Sequence, residues 1–450
     1  MDRGDLLTFP PGFQWGVASS SYQIEGAVDE GGRGPSIWDT FCHTPGKIAR
    51  GETGDIAADH YHRWEEDVRL LGELGVQVYR FSVAWPRVQP TGRGKVNGQG
   101  LDFYERLVDA LIARNITPCL TLYHWDLPQP LQDAGGWPNR DTARYFADYA
   151  AIVAGRLGDR VTGWITHNEP WVAAFAGNFS GEHAPGIQDP VAAFQAAHHL
   201  LLSHGLAVEA LRATCRRKPS IGLALNLNPV HPATDSQADL EAATRFDGVL
   251  NRWFLDPLYR GSYPEDMVRL FEPVLTPVRE GDLKTISTPV EWLGINYYSH
   301  TVARHDPSFP LIEASQVQPT GREYSQMWEI YPEGMHEILT RVWNEYHPPY
   351  LVVTENGIPV ADEPDLDGKA RDPRRIAYLR DHIAQVHRAI ADGVDVRGYY
   401  HWSPTDNFEW AHGYGKRFGL IYIDFSTQKR TVKDSGWWFK QVIEANGVEL

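Results

Sequence analysis

Sulfur is scarce in this chain. Three cysteines, Cys42, Cys119 and Cys215, are spread over 450 residues with no CxxC spacing. That excludes a disulfide-built scaffold and a cysteine-rich zinc module. Basic residues are also in the minority: 42 Lys and Arg stand against 58 Asp and Glu, for a net charge of −16. A protein that grips DNA or RNA through phosphates needs the opposite excess, so nucleic acid is not expected as a partner and a neutral small molecule is. No apolar run approaches the roughly 20 residues that cross a bilayer. The opening MDRGDLLTFP carries no secretory apolar core. These absences predict a cytoplasmic protein with no membrane partner. No Pro/Gly-rich or low-complexity linker divides the chain, and no GxGxxG follows its first strand, which argues against a dinucleotide-binding open sheet.

Aromatic residues, in contrast, are plentiful: 16 Trp, 20 Tyr and 17 Phe. Some must be core, but flat rings also pack well against the apolar face of a sugar. Along the chain, short β-branched or aromatic runs alternate with helical patterns. Strands are predicted over 12–18, 76–85, 117–125, 161–170, 221–230, 292–299, 350–357 and 396–403. Helices are predicted over 58–75, 101–115, 141–158, 191–214, 240–259, 333–346, 373–393 and 433–447. Eight strand–helix units with strands buried on both faces predict a closed (β/α)8 barrel, a single domain over 1–450 with long loops after the strands. The irregular stretches 31–56, 300–325 and 404–432 read as such loops.

In such a barrel the chemistry gathers where the strands end. Those ends carry Arg80, His124, Asn168 with Glu169, Asn296 with Tyr298, Glu355 and Trp402, and Gln23 follows the first strand. Glu169 in WITHNEPW and Glu355 in VTENG fall on strands four and seven. A pair of carboxyls is what glycoside hydrolysis needs: one lends a proton to the leaving oxygen, and the other stays ionised and attacks. Arg80 and the Tyr298 hydroxyl are the neighbours expected to keep one of them ionised.

Ordered motifs run nearly the length of the chain: FQWGVASSSYQIEGA, YRFSVAWPR, LYHWDLP, THNEPW, INYYS, EIYPEG, VTENG and DNFEWAHGYGKRFGL. In these the chain resembles the β-glucosidases of glycoside hydrolase family 1, retaining barrel enzymes that use no cofactor. The resemblance implies that Glu169 is the acid/base and Glu355 the nucleophile. It implies that Gln23, His124, Asn168, Glu409 and Trp410 hold the non-reducing sugar, with Trp402 as its stacking floor. Asn296 and Tyr298 would sit near the anomeric centre. Trp328 would form the aglycone platform, with Trp171 on the same wall.

The expected substrate is a small β-glycoside or cello-oligosaccharide carrying a glucosyl, galactosyl or fucosyl group. Monomer and homo-oligomer both remain open. Two rivals are weaker. A 6-phospho-β-glycosidase would place a Ser and a Tyr where this chain has Glu409 and Phe418, sharing only Lys416. A non-catalytic sugar-binding barrel need not keep both carboxylates. Spacing also argues against a metal site: His60 and His62 do not share a helix face, and His199 and His204 do not fit the i, i+4 pairing of a zinc helix. His167 departs from the family's usual Phe or Leu and reads as a packed imidazole, with tuning of Glu169 as the alternative. The segment Asn178-Phe179-Ser180 carries no reading from sequence. Pro404 is expected to stiffen the loop that presents Glu409.

Overall fold

The computed structural model describes residues 6–309 and 311–450. Eight parallel strands close into a barrel: β1 (Gln14–Ala18), β2 (Val78–Ser82), β3 (Thr117–Tyr123), β4 (Gly163–Asn168), β5 (Ser220–Asn226), β6 (Trp292–Asn296), β7 (Leu351–Asn356) and β8 (Val396–Trp402). β8 pairs with β1 to shut the ring, with Tyr399 opposite Trp15 and Trp402 opposite Ala18. Every residue of β2 and β7 is buried, as a strand covered by side chains inside and helices outside must be. The predicted strands fall where expected but most overrun by one to three residues, and the fifth by four. In particular β4 stops at Asn168, so Glu169 stands just past the ladder.

The helices form the outer layer: α1 (His60–Glu73), α2 (Gly98–Ala113), α3 (Asp141–Leu157), α4 (Pro190–Thr214), α5 (Gln237–Asp247), α6 (Glu333–Tyr346), α7 (Pro373–Ala391) and α8 (Asp434–Ala445). Their seam with the barrel is rich in aromatics. Trp15, Trp85 and Trp164 are fully buried, and Trp85 stacks on Tyr149 of α3 at 5.0 Å.

Five local readings are refined. The helix predicted over 240–259 is continuous from Gln237 to Tyr259 but widens to π-type winding at Gly248–Arg252. Helix α8 stops at Ala445, and Gly447–Glu449 pairs antiparallel with Leu6–Thr8, clasping the two ends of the chain. The stretch 300–325 holds two strands, Thr301–His305 and Ala314–Gln316, in a small sheet with Val230–Pro232. The stretch 404–432 holds the hairpin of Ile421–Asp424 with Lys429–Val432. Likewise 31–56 contains a helix, Ile37–Cys42, begun by a reciprocal cap between Ser36 and Asp39. These pieces are too short to show a period of their own, because partners far along the chain hold them. Among the described residues no helix is long and apolar enough to cross a membrane.

The inner contact of α4 depends on a missing side chain. A Cβ on Gly205 would stand 1.9 Å from the backbone oxygen of Thr285, in the short helix Asp282–Ile286. By intrinsic propensity alone, Gly205→Ala should stabilise α4 by about 1 kcal/mol. The backbone clash outweighs this, since overpacking costs about 1–3 kcal/mol or more. Gly205→Ala is therefore expected to lower the melting temperature in calorimetry, where a solvent-facing helix glycine would raise it.

Candidate active site

The two strands that deliver the carboxyls are the two whose ladders slip near their ends. Between β4 and β5 the register shifts between Ile165 and Asn168. Between β6 and β7 it shifts between Val353 and Glu355, which brings Glu355 opposite Asn296. Such irregularities re-aim side chains at barrel rims. Glu169 itself adopts φ +45°, and Trp125 and Trp410 take φ +80° and +48°. Left-handed backbone at bulky residues persists only where the surroundings enforce it.

One chain of hydrogen bonds ties the two carboxyls together. Arg80, fully buried inside the barrel, donates through Nη1 to Glu355 Oε1 at 2.7 Å and through Nη2 to Asn168 Oδ1 at 2.6 Å. Asn296 Nδ2 donates to the same Asn168 oxygen at 2.9 Å and to Glu169 Oε1 at 2.7 Å. Tyr298 donates its hydroxyl to Glu355 Oε2 at 2.7 Å. Glu355 is thus held on both oxygens by donors, one of them a cation, whereas Glu169 has one neutral amide.

Charge follows that asymmetry. Burial pushes Glu169 up to about 8, and the Glu355 charge adds to the effect against the Asn296 bond and the Arg80 charge. Burial raises Glu355 as well, but the Arg80 charge and the bonds from Tyr298, Arg80 and Asn296 all pull it back. The shared proton therefore belongs on Glu169. Glu409 is a third carboxyl in the same field, pushed up to about 8 by burial and by the Glu355 charge, against a bond from Gln23.

These groups face one cavity of about 350 Å³, lined by His124, Trp125, Glu169, Asn296, Tyr298, Trp328, Glu355, Trp402, Glu409 and Trp410 among others. Its floor is aromatic. His124 lies between Trp402 and Trp410 with ring planes 27° and 21° from parallel, and Trp410 stacks in turn on Tyr22. Trp328 packs on Tyr298 at 5.0 Å. Gln23, Arg80 and Asn168 each bond to a member of this lining. Gln23 Nε2 donates to Glu409 Oε2 at 3.2 Å, and Asn168 Nδ2 meets His124 Nε2 at 3.0 Å. Trp171 packs on Phe175 and is outside the lining, where its neighbour Val172 takes part instead.

A match to the model of glycosyl hydrolase family 1 spans residues 6–448. The chain belongs to glycosyl hydrolase family 1. It is 48% identical to β-glucosidase A of Acetivibrio thermocellus over 98% of this chain and 99% of that one. It is also 48% identical to a bifunctional β-D-glucosidase/β-D-fucosidase of Bifidobacterium breve, over 97% and 98% of the two chains. A Thermotoga maritima family 1 glycoside hydrolase, solved with a cyclophellitol analogue described as a transition state mimic, superposes with a TM-score of 0.96 at 47% identity, covering 99% of this chain and all of that one.

Several site residues of this family 1 chain lay beyond sequence reasoning. Asn226 at the end of β5 lines the cavity, so the ends of β3 to β8 all contribute to it, and Arg80 of β2 reaches it through Glu355. Trp125 and His183 line it too, the latter packing on Trp125. Their only signal was membership of aromatic-rich motifs. The 172–180 segment is wound as wide π-type turns. There Asn178 donates to the Ala173 carbonyl at 3.0 Å and accepts from Asp189 N at 2.9 Å, while Phe179 packs on the core. His167 points away from Glu169 into the helix layer, where it stacks on Phe146 at 4.4 Å and shares a hydrogen bond with Ser203. His198, His199 and His204 go to separate partners: Tyr263 and Asp282, the Trp137 carbonyl, and Thr166.

Glu169 keeps its proton in the fold up to about 8, whereas a glutamic acid in an unfolded chain ionises near about 4.3. Across that window the unfolded chain gives up a proton that the fold retains, so stability is lost as pH rises. Glu169→Gln keeps a neutral side chain at every pH. Its melting temperature should match wild type below about pH 4 and exceed it at pH 8 by on the order of 5 °C. An offset independent of pH would remove the proton from Glu169.

Proposed function

We propose that this protein is a retaining β-glycosidase that removes terminal β-D-glucosyl groups from aryl glycosides and cello-oligosaccharides, with Glu355 as nucleophile and Glu169 as acid/base. The observation that carries the assignment is the unequal treatment of the two carboxyls. Arg80 and Tyr298 both donate to Glu355, and a carboxylate so held stays an anion at neutral pH. Glu169, buried beside that anion, stays protonated and has a proton to give.

In the first step a Glu355 oxygen bonds to the anomeric carbon as the bond to the departing oxygen breaks, and the Glu169 proton goes to that oxygen. Glu355 is now an ester and has lost its charge, so the carboxylate left on Glu169 becomes a base. In the second step Glu169 takes a proton from water, whose oxygen bonds to the anomeric carbon and releases Glu355. Two inversions at one carbon return the β configuration.

Gln23, His124, Asn168 and Glu409 bind the sugar's hydroxyls, and Trp402 and Trp410 form its apolar floor. Asn168, held by Arg80 and Asn296, is preset to grip the hydroxyl beside the reacting carbon, where bonds that tighten in the transition state raise the rate. Trp328 is the platform for the aglycone, and Trp171 shapes the same wall from behind Val172. The relatives from A. thermocellus and B. breve support glucosides as substrates and fucosides as a second class. A 6-phospho sugar is disfavoured, because Glu409 and Phe418 stand where a phosphate pocket of this family would place a Ser and a Tyr.

Release of nitrophenol from 4-nitrophenyl β-D-glucoside tests the roles. Glu355→Gly should lower kcat by on the order of 10⁵-fold. Azide should restore turnover and give the α-glucosyl azide. Glu169→Ala with an activated aryl glucoside and azide should give the β-glucosyl azide. The opposite stereochemical pair would exchange the two assignments. In wild type kcat/KM should fall above about pH 8 as Glu169 loses its proton, and an alkaline limb unchanged in Glu169→Ala would assign that limb to another group.

A further inference from the structure

Behind the wall that carries Glu409 lies a second cluster of charges, screened from the cavity. The side chains of Lys433, Arg375, Asp362, Asp372 and Asp406 are wholly buried. Lys433 Nζ donates to Asp362 Oδ2 and to Asp406 Oδ1, each at 2.8 Å. Arg375 pairs with Asp362 at 2.5 Å, pairs with Asp372, and donates to the Arg417 carbonyl at 2.7 Å. Arg417 closes the ring on Asp406 Oδ2 at 2.6 Å. Three carboxylates thus meet three cations. Well-packed apolar side chains would hold this spot about as firmly. A set of directed charges also dictates where each backbone segment lies.

The segment it holds leads straight to the sugar-facing wall. Asp406 also accepts from the backbone of Gly419 at 3.0 Å and Ile423 at 3.3 Å. The three residues after it are all tied to Gln23. Its Nε2 donates to Asn407 Oδ1 at 3.0 Å, to the Phe408 carbonyl at 2.9 Å and to Glu409 Oε2 at 3.2 Å. Residues 406–409 have no helix or strand of their own, and Trp410 follows in left-handed backbone. Three backbone bonds hold the run, from Asp406 to Ile421, Phe408 to Gln23 and Glu409 to Gly413, and side-chain bonds anchor its two sides: Gln23 on the cavity side and the buried charges on the other.

We propose that Lys433, acting through Asp406, is a positioning residue that sets the placement of Glu409 and Trp410 and so the enzyme's discrimination between sugars. The proposal rests on the reading of Glu409 as an acceptor for sugar hydroxyls. Removing the ammonium leaves Asp362 and Asp406 facing each other with one cation fewer, and the Asp406 end of the run moves.

The test compares kcat/KM for 4-nitrophenyl β-D-glucoside and β-D-fucoside, which differ in two hydroxyl positions. General destabilisation reduces the folded fraction and scales both sugars alike, leaving their ratio untouched. Lys433→Met is expected to shift the ratio at least about fivefold. Asp406→Asn, which keeps the shape of the side chain, serves if Lys433→Met does not fold, and should shift it the same way. In a Glu409→Ala background either change should move the ratio no further, because residues acting through one group are not additive. An unchanged ratio in both variants, or full additivity with Glu409→Ala, would overturn the proposal. If Glu409→Ala alone leaves the ratio unchanged, the sugar-binding reading of Glu409 fails first and the proposal falls with it.

Discussion

The ion pair between Arg80 and Glu355 is the contact on which the rest of the site depends. A guanidinium inside a barrel, with no access to water, is tolerable only if its donors are matched. Arg80 meets that demand with the Thr121 hydroxyl, the Thr354 carbonyl, Glu355 and Asn168. In doing so it joins β2 to β3, β4 and β7 across the barrel. The requirement that the cation be neutralised is therefore the same requirement that orients Glu355 and the residue preceding Glu169. Stability and chemistry share one set of bonds here, and neither is separable by mutation at Arg80.

Around that pair the structure carries local costs that a purely structural barrel would avoid. Three carboxyls converge on one cavity, three ladders slip where two of them emerge, and Glu169 and Trp410 adopt left-handed backbone. Each is unfavourable alone. They are sustained by deep packing beneath, in which Trp38 and Tyr22 back Trp410, and by the buried charges around Lys433. Like charge held at close range makes otherwise similar side chains unequal: Arg80 favours the anion on Glu355, and Glu169, which no cation contacts, is the one that holds the proton.

The barrel was legible because buried parallel strands and amphipathic helices each repeat a pattern over many residues, and the eight units recur at similar spacing. The peripheral strands at 301–305, 314–316 and 421–432 and the clasp of 447–449 on the N-terminal segment were not, since three or four residues carry no period and distant partners hold them. The π-type widening after Asp247 was hidden for a similar reason: the apolar residues continue through it. Within the site, Glu169, Glu355, Asn168 and Asn296 were legible from their position at strand ends. Trp125, His183 and Asn407 were not, because their loops go where packing sends them, and Asn226 ends β5 with no motif around it. Trp171, two residues past Glu169, packs on Phe175.

The residue order alone determined that this chain would close into an eight-stranded barrel, that family motifs run along its length, and that two glutamates would stand at strand mouths. Those follow from local periodicity and from motifs read in one dimension. Which glutamate is gripped by a cation, which keeps a proton, and that His167 faces the helices instead of its neighbour Glu169 were decided only by the tertiary structure. A pKa and a hydrogen bond depend on distance and burial, and both are set by segments hundreds of residues apart brought within a few ångströms.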